Sequence, residues 1–354
     1  MAYGTINADL MTTSDGVSSS GLYGFKNRLI NGAMVISQRN GTSSVTVTNT
    51  SATTYSMDRF YTYGTVASKF SFQQNAGSVT PPTGFINYLG CTSLSAYSVG
   101  ASDNFLFGQY IEGFNVADFD FGKATAKTVT LSFWARSSLT GTFGGSLINN
   151  ASNRSFVFTY TISTANTWEY KTITIAGDTS GTWLTDNNTG IAVNFSIGSG
   201  STFSTTAGSW VTGNFLNATG ATSVVGTKGA TFYITGVQLE KGSTATSFDY
   251  RPFGTELQLC QRYYEIGNVN CAGILLFSTL ISGNVNFIVA KRASATVTYS
   301  GASFYYLATT PAITSSAASG ATAYGFSPQI TPTSALTGGY GGAQSGAFTA
   351  SAEL

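Results

Sequence analysis

The amino-acid sequence predicts an all-β protein: an N-terminal arm, a large antiparallel β domain, and a smaller C-terminal β domain entered through a short helix. Three observations carry that expectation. From about Leu29 to Tyr250, short runs of alternating apolar and polar residues are separated by clusters of Gly, Asn, Ser and Thr, the pattern of strands joined by turns. Helical periodicity is almost missing over the same stretch. The 354 residues include 41 glycines, Ser and Thr fill roughly a quarter of the chain, and only 9% are charged, against about 25% in ordinary soluble domains.

Taken in order, residues 1–24 hold few apolar side chains and no periodicity, so they read as an attachment arm or linker. Residues 25–252 form the first domain. Its clearest strands are expected over Ser68 to Gln74, Thr128 to Arg136, Phe156 to Ile162 and Trp168 to Ile175. Further on, Ile191, Val193, Phe195 and Ile197 alternate on one face, and Thr231 to Glu240 is broken at Gly236, which suggests a bulge or bend. Residues 253–354 form the second domain. A helix is expected over 255–266, where Leu257, Cys260 and Tyr264 recur at helical spacing behind Thr255 as a possible N-cap, after the punctuation of Pro252 and Gly254. Strands are then expected over Ile274 to Leu280, Asn284 to Ala290 and Ala295 to Tyr299, in a domain whose few charges suggest the more buried of the two. No internal repeat is visible.

The composition excludes several function classes. Histidine is absent, which removes Ser-His-Asp and Cys-His nucleophiles and His-ligated metals. Sixteen Lys and Arg against 15 Asp and Glu leave a net charge of +1, no field for collecting nucleic acid. Cys91, Cys260 and Cys271 are too few and too scattered for a disulfide framework or thiolate metal site, and read as small buried hydrophobes. No cofactor or metal is expected. Met1 to Leu10 lack the regions of a secretory signal and no apolar stretch approaches a membrane span, so membrane insertion is not expected.

Four segments, NRLINGAMVISQR (Asn27 to Arg39), MDRFY (Met57 to Tyr61), TVTLSFWARSSLTGTF (Thr128 to Phe143) and WEYKTITIAGDTSGTW (Trp168 to Trp183), together resemble a recurring class of tailed-bacteriophage virion proteins. GATFYITGVQLEKGSTATSFDYRPFGTELQLCQRYYE (Gly229 to Glu265) is the most specific match, while KRASATVTYS (Lys291 to Ser300) and the ending SAEL resemble the tip domain of such proteins more weakly. The resemblance implies a jelly-roll β-sandwich similar to carbohydrate-binding modules, followed by a smaller β-sandwich, in a tail fibre or appendage. Ala33 stands where many such modules carry an Asp near a structural calcium, which argues against calcium here.

The candidate carbohydrate-binding residues are Trp134, Arg136, Tyr170 and Trp183. Strand alternation puts Val129, Leu131 and Phe133 on one face, and Trp134 and Arg136 on the other with Thr130 and Ser132. A Trp among hydroxyls suits the apolar face of a sugar ring, with neighbouring polar groups for its hydroxyls. Packing against a second layer or a neighbouring subunit is the competing use of each aromatic. Asp118 and Asp120, with Glu112 upstream, could be cast as a glycosidase pair. They fit solvated loop acids or a calcium loop better, and Asp249 with Arg251 reads as a local ion pair at the domain junction.

The expected function is therefore a virion structural protein and not an enzyme: a homo-oligomer, on analogy with fibres a homotrimer, attached to other virion proteins of tail or capsid and contributing to adhesion to a host-surface glycan. The alternative is a capsid decoration, cement or head-fibre protein that stabilises the capsid without binding glycan. The expected location is the virion, after synthesis in the host cytoplasm.

Overall fold

The computed structural model describes residues 25–277, 280–305, 310–336 and 342–354; the expected arm, 1–24, lies outside the described residues. The chain divides into two compact units, one ending at Phe253 and one starting at Gly254. Both are built almost wholly from strands.

The first unit contains, in chain order, β1 (Val45–Thr46), β2 (Thr54–Met57), β3 (Phe60–Gly64), β4 (Phe70–Gln74), β5 (Leu89–Ser93), β6 (Asn104–Glu112), β7 (Val129–Ser137), β8 (Gly141–Ile148) and β9 (Arg154–Ile162). It continues with β10 (Glu169–Ile175), β11 (Thr189–Ser199), β12 (Ser204–Thr205), β13 (Trp210–Thr212), β14 (Asn217–Ala218) and β15 (Thr231–Lys241). A six-stranded sheet runs β1-β4-β5-β15-β7-β10, and a seven-stranded sheet runs β13-β9-β8-β11-β6-β3-β2. Their pairings are antiparallel, whereas the short β12 and β14 pair in parallel beside them. The result is an antiparallel jelly-roll β-sandwich.

The alternation seen in the sequence decides which face of each strand turns inward. On β7, Val129, Leu131, Phe133 and Ala135 are fully buried. Aromatic rings then bridge the two sheets: Phe133 lies 5.0 Å from Phe195 and Phe232 5.8 Å from Phe107, centroid to centroid, while Phe107 and Phe195 stack at 5.3 Å on neighbouring strands of the seven-stranded sheet. Each fully buried Phe contributes about 1.5–3 kcal/mol. Glycine makes room for these rings: a Cβ on Gly145 would fall 2.5 Å from the Phe158 ring and 2.2 Å from the Asn194 carbonyl.

The segment from Asn27 to Ile36 is tied down by amide side chains. Asn27 Nδ2 donates to Val237 O at 2.9 Å, and its Oδ1 accepts from the amides of Leu29 and Leu239. Asn31, in the left-handed region at φ 63°, donates to Ile36 O and Asp58 O and accepts from Ile36 N. Asp249 accepts from the amides of Lys26 and Asn27, while Arg251 donates to the carbonyls of Leu29 and Asn27. The two residues stand 4.0 Å apart as an ion pair, and both also clamp the start of the described chain.

In the second unit, α1 (Phe253–Gln261) is followed by β16 (Tyr264–Phe277), β17 (Leu280–Ser282), β18 (Val285–Asn286), β19 (Thr296–Tyr305), β20 (Ile313–Ser319), β21 (Gly325–Pro332) and β22 (Gly342–Ser351). The sheet order is β18-β21-β17-β16-β22-β19, with β20 paired to β21. Ser316 on β20 donates to Tyr299 O on β19, so the ends of the sheet approach one another around a core of Val269, Ile281, Phe304, Phe326, Ile330 and Phe348.

Three expectations for this unit are corrected. The helix starts at Phe253, directly behind Pro252, so Thr255 lies inside it and is not the N-cap. It ends at Gln261 because Tyr264 onward pairs with β22, and its buried residues are Glu256, Cys260 and Gln261 rather than a Leu257–Tyr264 stripe. The unit is not the more buried one. β19 has two buried residues and β20 none, and Ile288 and Tyr324 are 71% and 72% exposed, since few charges in a Ser, Thr and Ala-rich chain signify neutrality rather than burial. Of Ile274 to Leu280, residues 278–279 lie outside the described residues, and the Asn284 to Ala290 expectation shrinks to β18. Within the core, Lys291 and Glu265 form a buried pair at 2.6 Å, with Glu265 also accepting from Ile288 N and Lys291 4.6 Å from the Phe287 ring.

Candidate functional site

The candidate site lies on the outward face of the six-stranded sheet. Register places Trp134 of β7 between Tyr170 of β10 and Thr235 of β15. Trp134 is half-buried, Tyr170 is 44% exposed, and their rings stand 5.3 Å apart, tilted by 47°.

Next to them, β15 is interrupted between Thr235 and Gln238, where the register slips. Gly236 takes φ +62° there, and a Cβ on it would meet the Phe85 ring at 2.6 Å. The bulge therefore serves two purposes: it reverses the local facing of β15, and it gives Phe85 a bare backbone to lie on.

Beyond Lys241 the chain doubles back as a strap, residues 243–250, over the outward face of its own strand. Thr130 and Thr174 hold its start, donating to Gly242 O at 2.8 Å and Ser243 O at 3.0 Å. Glu240 accepts from both the amide and the hydroxyl of Thr246, at 2.9 and 2.7 Å, and Gln238 accepts from Asp249 N at 2.8 Å. This is why Gln238 and Glu240 are buried although they face away from the core. At the far end Phe85, Phe248 and Tyr250 pack together, with centroids 4.8–5.5 Å apart, and the Tyr250 hydroxyl donates to Gly84 O.

Between sheet and strap runs a groove of about 500 Å³. Its floor is Trp134, Tyr170, Ser132 and Gly236, and its aromatic wall is Phe85, Phe248 and Tyr250. Thr83, Thr246 and Ser247 add hydroxyls. The volume falls within the 300–1,000 Å³ or so typical of small-ligand sites. No carboxylate, Lys or Arg lines it; burial pushes the Tyr250 phenol up from its ordinary value. Aromatic faces flanked by neutral donors and acceptors suit a ligand with apolar C–H faces and many hydroxyls.

Of the four sequence candidates, Trp134 and Tyr170 come together in this groove. Arg136 is on the same face two residues along, but its Nε donates to Asn166 O at 2.9 Å and its guanidinium lies 5.4 Å from the Tyr233 ring, outside the groove lining. Trp183 is elsewhere. It packs edge-on against Phe121 and Trp210 at 5.0 and 5.2 Å, donates to Ser180 O, and borders a smaller recess of about 160 Å³ with Asp120 and Lys123.

The carboxylates are engaged by the chain's own cations. Asp118 pairs with Arg28 at 2.9 Å and Lys241 at 2.8 Å, and Asp120 with Lys123 at 2.8 Å. Lys123 holds the Asp120 carboxyl below its ordinary value, against a smaller effect of burial. Among the described residues no group of three or more His, Cys, Asp or Glu could hold a metal ion, and no helix is long and apolar enough to cross a membrane.

Sequence reasoning missed Phe85, Phe248 and Tyr250. The available signal was the Gln238-x-Glu240 pair, two polar side chains on the outward face of a strand followed at once by an aromatic-rich turn. What covers them could not be read from local pattern, because Gly84 and Tyr250 meet across 166 residues.

No protein-family model and no curated protein matches the chain. Among solved structures it is similar to the enzymatically active domain of tailspike protein 4 of bacteriophage CBA120, at 12% identity and TM-score 0.30, over 61% of this chain and 21% of that one. The chain thus spans about a fifth of the tailspike structure. It is also similar to a CBM4 structure, at 15% identity and TM-score 0.29, over 60% of this chain and 98% of that one. A family 11 carbohydrate-binding module of a Clostridium thermocellum cellulosomal cellulase gives 14% identity and TM-score 0.27, over 58% and 99%. At these scores and identities none carries an argument for this chain, whose fold rests on its own strands and register.

Proposed function

We propose that this chain is a structural protein of a tailed-bacteriophage virion, a homotrimeric tail fibre or appendage whose first unit holds a host-surface glycan in the Trp134–Tyr170 groove. It works by binding and not by catalysis. The observation that carries the glycan reading is the groove itself: two half-exposed rings on the floor, an aromatic wall, and neutral hydroxyls around them. The virion reading rests on the resemblance over Gly229 to Glu265, a stretch that includes Gln238 and Glu240, which hold the strap, and Asp249 and Arg251, which hold the chain near Asn27.

The mechanism is multivalent adhesion. A shallow site with two or three stacking contacts binds weakly alone, on the order of millimolar, and three linked sites per trimer raise avidity by about 10²–10⁴ where geometry allows simultaneous engagement.

The test is binding of full-length protein to host cell-wall fractions and a glycan array, alongside Trp134→Ala and Tyr170→Ala. Both variants are expected to lose at least tenfold in binding while keeping the native circular dichroism spectrum. Undiminished binding by both would return these rings to packing. Immunogold labelling of virions places the protein: tail labelling is expected, and uniform capsid labelling would favour the decoration reading instead.

A further inference from the structure

We infer that the groove selects uncharged, single-chain glycans and rejects anionic ones; the inference rests on the groove being a glycan site. The argument is one of charge. No Lys or Arg lines the groove, and the cations near it are each held by a group of the chain itself, as Arg251, next to Tyr250, is by the carbonyls of Leu29 and Asn27. Arg136 is held by Asn166 O and the Tyr233 ring. Lys171, next to Tyr170, points to the opposite face of β10 and is paired with Glu169 at 2.6 Å. Lys26 reaches the strap from behind, donating to Thr246 Oγ1 at 2.9 Å, and is matched there by Glu240, which accepts from the same hydroxyl at 2.7 Å.

Glu240 is 2% exposed and bonded through Thr246, whose side chain lines the groove. A uronate, sialate or phosphodiester entering here gives up hydration and finds neutral hydroxyls and π faces, with no cation among the lining residues to replace the lost water. A neutral pyranose loses only hydroxyl hydration, which Ser132, Thr246, Ser247 and Thr83 are placed to restore.

Ring geometry narrows the class further. Trp134 and Tyr170 are tilted by 47° to each other, and Tyr250 by 37° to Phe85, so no flat array of chains can cover these rings at once. One chain that turns between successive sugars can.

The test is affinity electrophoresis of the full-length protein through gels holding neutral polysaccharides (laminarin, mannan, dextran) or acidic ones (alginate, polygalacturonate, hyaluronan). Wild type, Trp134→Ala, Tyr170→Ala and Thr83→Lys are compared. At least one neutral polymer is expected to retard the wild type tenfold more strongly than any acidic polymer. That retardation should be lost in both aromatic variants and unchanged by raising salt from about 50 to 500 mM, where screening would erase charge-driven binding. Thr83→Lys, at the exposed rim, should gain affinity for acidic polymers. Retardation by acidic polymers equal to that by neutral ones, sensitive to both aromatic variants, would overturn the charge inference and leave the glycan site standing. No retardation by any polymer, or retardation indifferent to both aromatic variants, would overturn the glycan site itself.

Discussion

Gly236→Ala joins fold to site, and its cost can be worked from the structure. At φ +62° an L-residue pays roughly 1–2 kcal/mol for the left-handed conformation. The new methyl would also stand 2.6 Å from Phe85 Cζ and 3.0 Å from Cε1. Forcing that ring aside is overpacking, worth about 1–3 kcal/mol. The total is about 2–5 kcal/mol. Gly220→Ala is the reference, since Gly220 has φ +78° and nothing within 4 Å of its Cβ position, so only the backbone cost remains. Urea unfolding followed by tryptophan fluorescence should show Gly236→Ala as the more damaging change. In a Phe85→Ala background its cost should fall to that of Gly220→Ala, a coupling of about 1–3 kcal/mol. The surviving folded Gly236→Ala protein should also bind glycan less well, because Phe85 is part of the groove wall. Equal costs at the two glycines, or no coupling to Phe85, would refute the bulge-and-ring account.

Three further outcomes are expected. Lys291→Met alone should cost about 3–5 kcal/mol by leaving Glu265 buried without its cation, while Lys291→Met with Glu265→Met should recover most of the loss in the same unfolding assay. Asp103 is pushed up by burial but held below its ordinary 3.8 overall by hydrogen bonds from Tyr97, Gly100 N and Thr65. A depressed folded value means stability that is present above pH 3.8 and lost as pH falls through the folded value, so thermal melts between about pH 5 and 2 should fall less steeply in Asp103→Asn. Thiol labelling read by peptide mass should modify half-exposed Cys271 first, and buried Cys91 and Cys260 only as their own units unfold, since burial pushes the Cys91 thiol far up; fast native labelling of Cys91 would contradict the packing.

Much of the first unit was legible because its strands are half-buried and alternate cleanly. Val129 to Ala135 and the run from Ile191 to Ile197 announce their inward faces, and Gly236 marks its bulge without help from tertiary contacts. The helix end differs from the expectation because, of Leu257, Cys260 and Tyr264, only the first two lie in the helix; Tyr264 keeps the spacing by coincidence, and its pairing with Ser351 carries it into a strand. Alternation alone gave Trp134 its outward face, but that Tyr170 stands beside it comes from the pairing of β10 with β7 across two intervening strands of the chain. Trp183 could not be placed, because a loop residue has no periodicity to fix its direction, and here Phe121 and Trp210 capture it.

Oligomeric burial is one explanation for so little charge, but the fold supplies another within a single chain. Buried backbone groups at loop crossings need donors and acceptors, and neutral amides provide both in one side chain without the desolvation cost of an ion. Gln109 both accepts from Ile30 N and donates to Ile30 O at 2.8 Å. Asn149 accepts from the amides of Asn153 and Arg154 and donates to Thr182 O. Where a carboxylate is buried, it gathers several donors, as Asp178 does from Arg154 Nε, Arg154 Nη2 and Ser180 N. Asp58, Arg59, Glu112, Glu240, Glu256, Glu265 and Lys291 are buried as well, so the few ions of the chain are drawn partly into its interior and fewer remain on its surface. In the strap the carboxylate of Glu240 is likewise turned inward onto Thr246, which leaves rings and hydroxyls to line the groove, and a single cation introduced at its rim should be enough to change what it accepts.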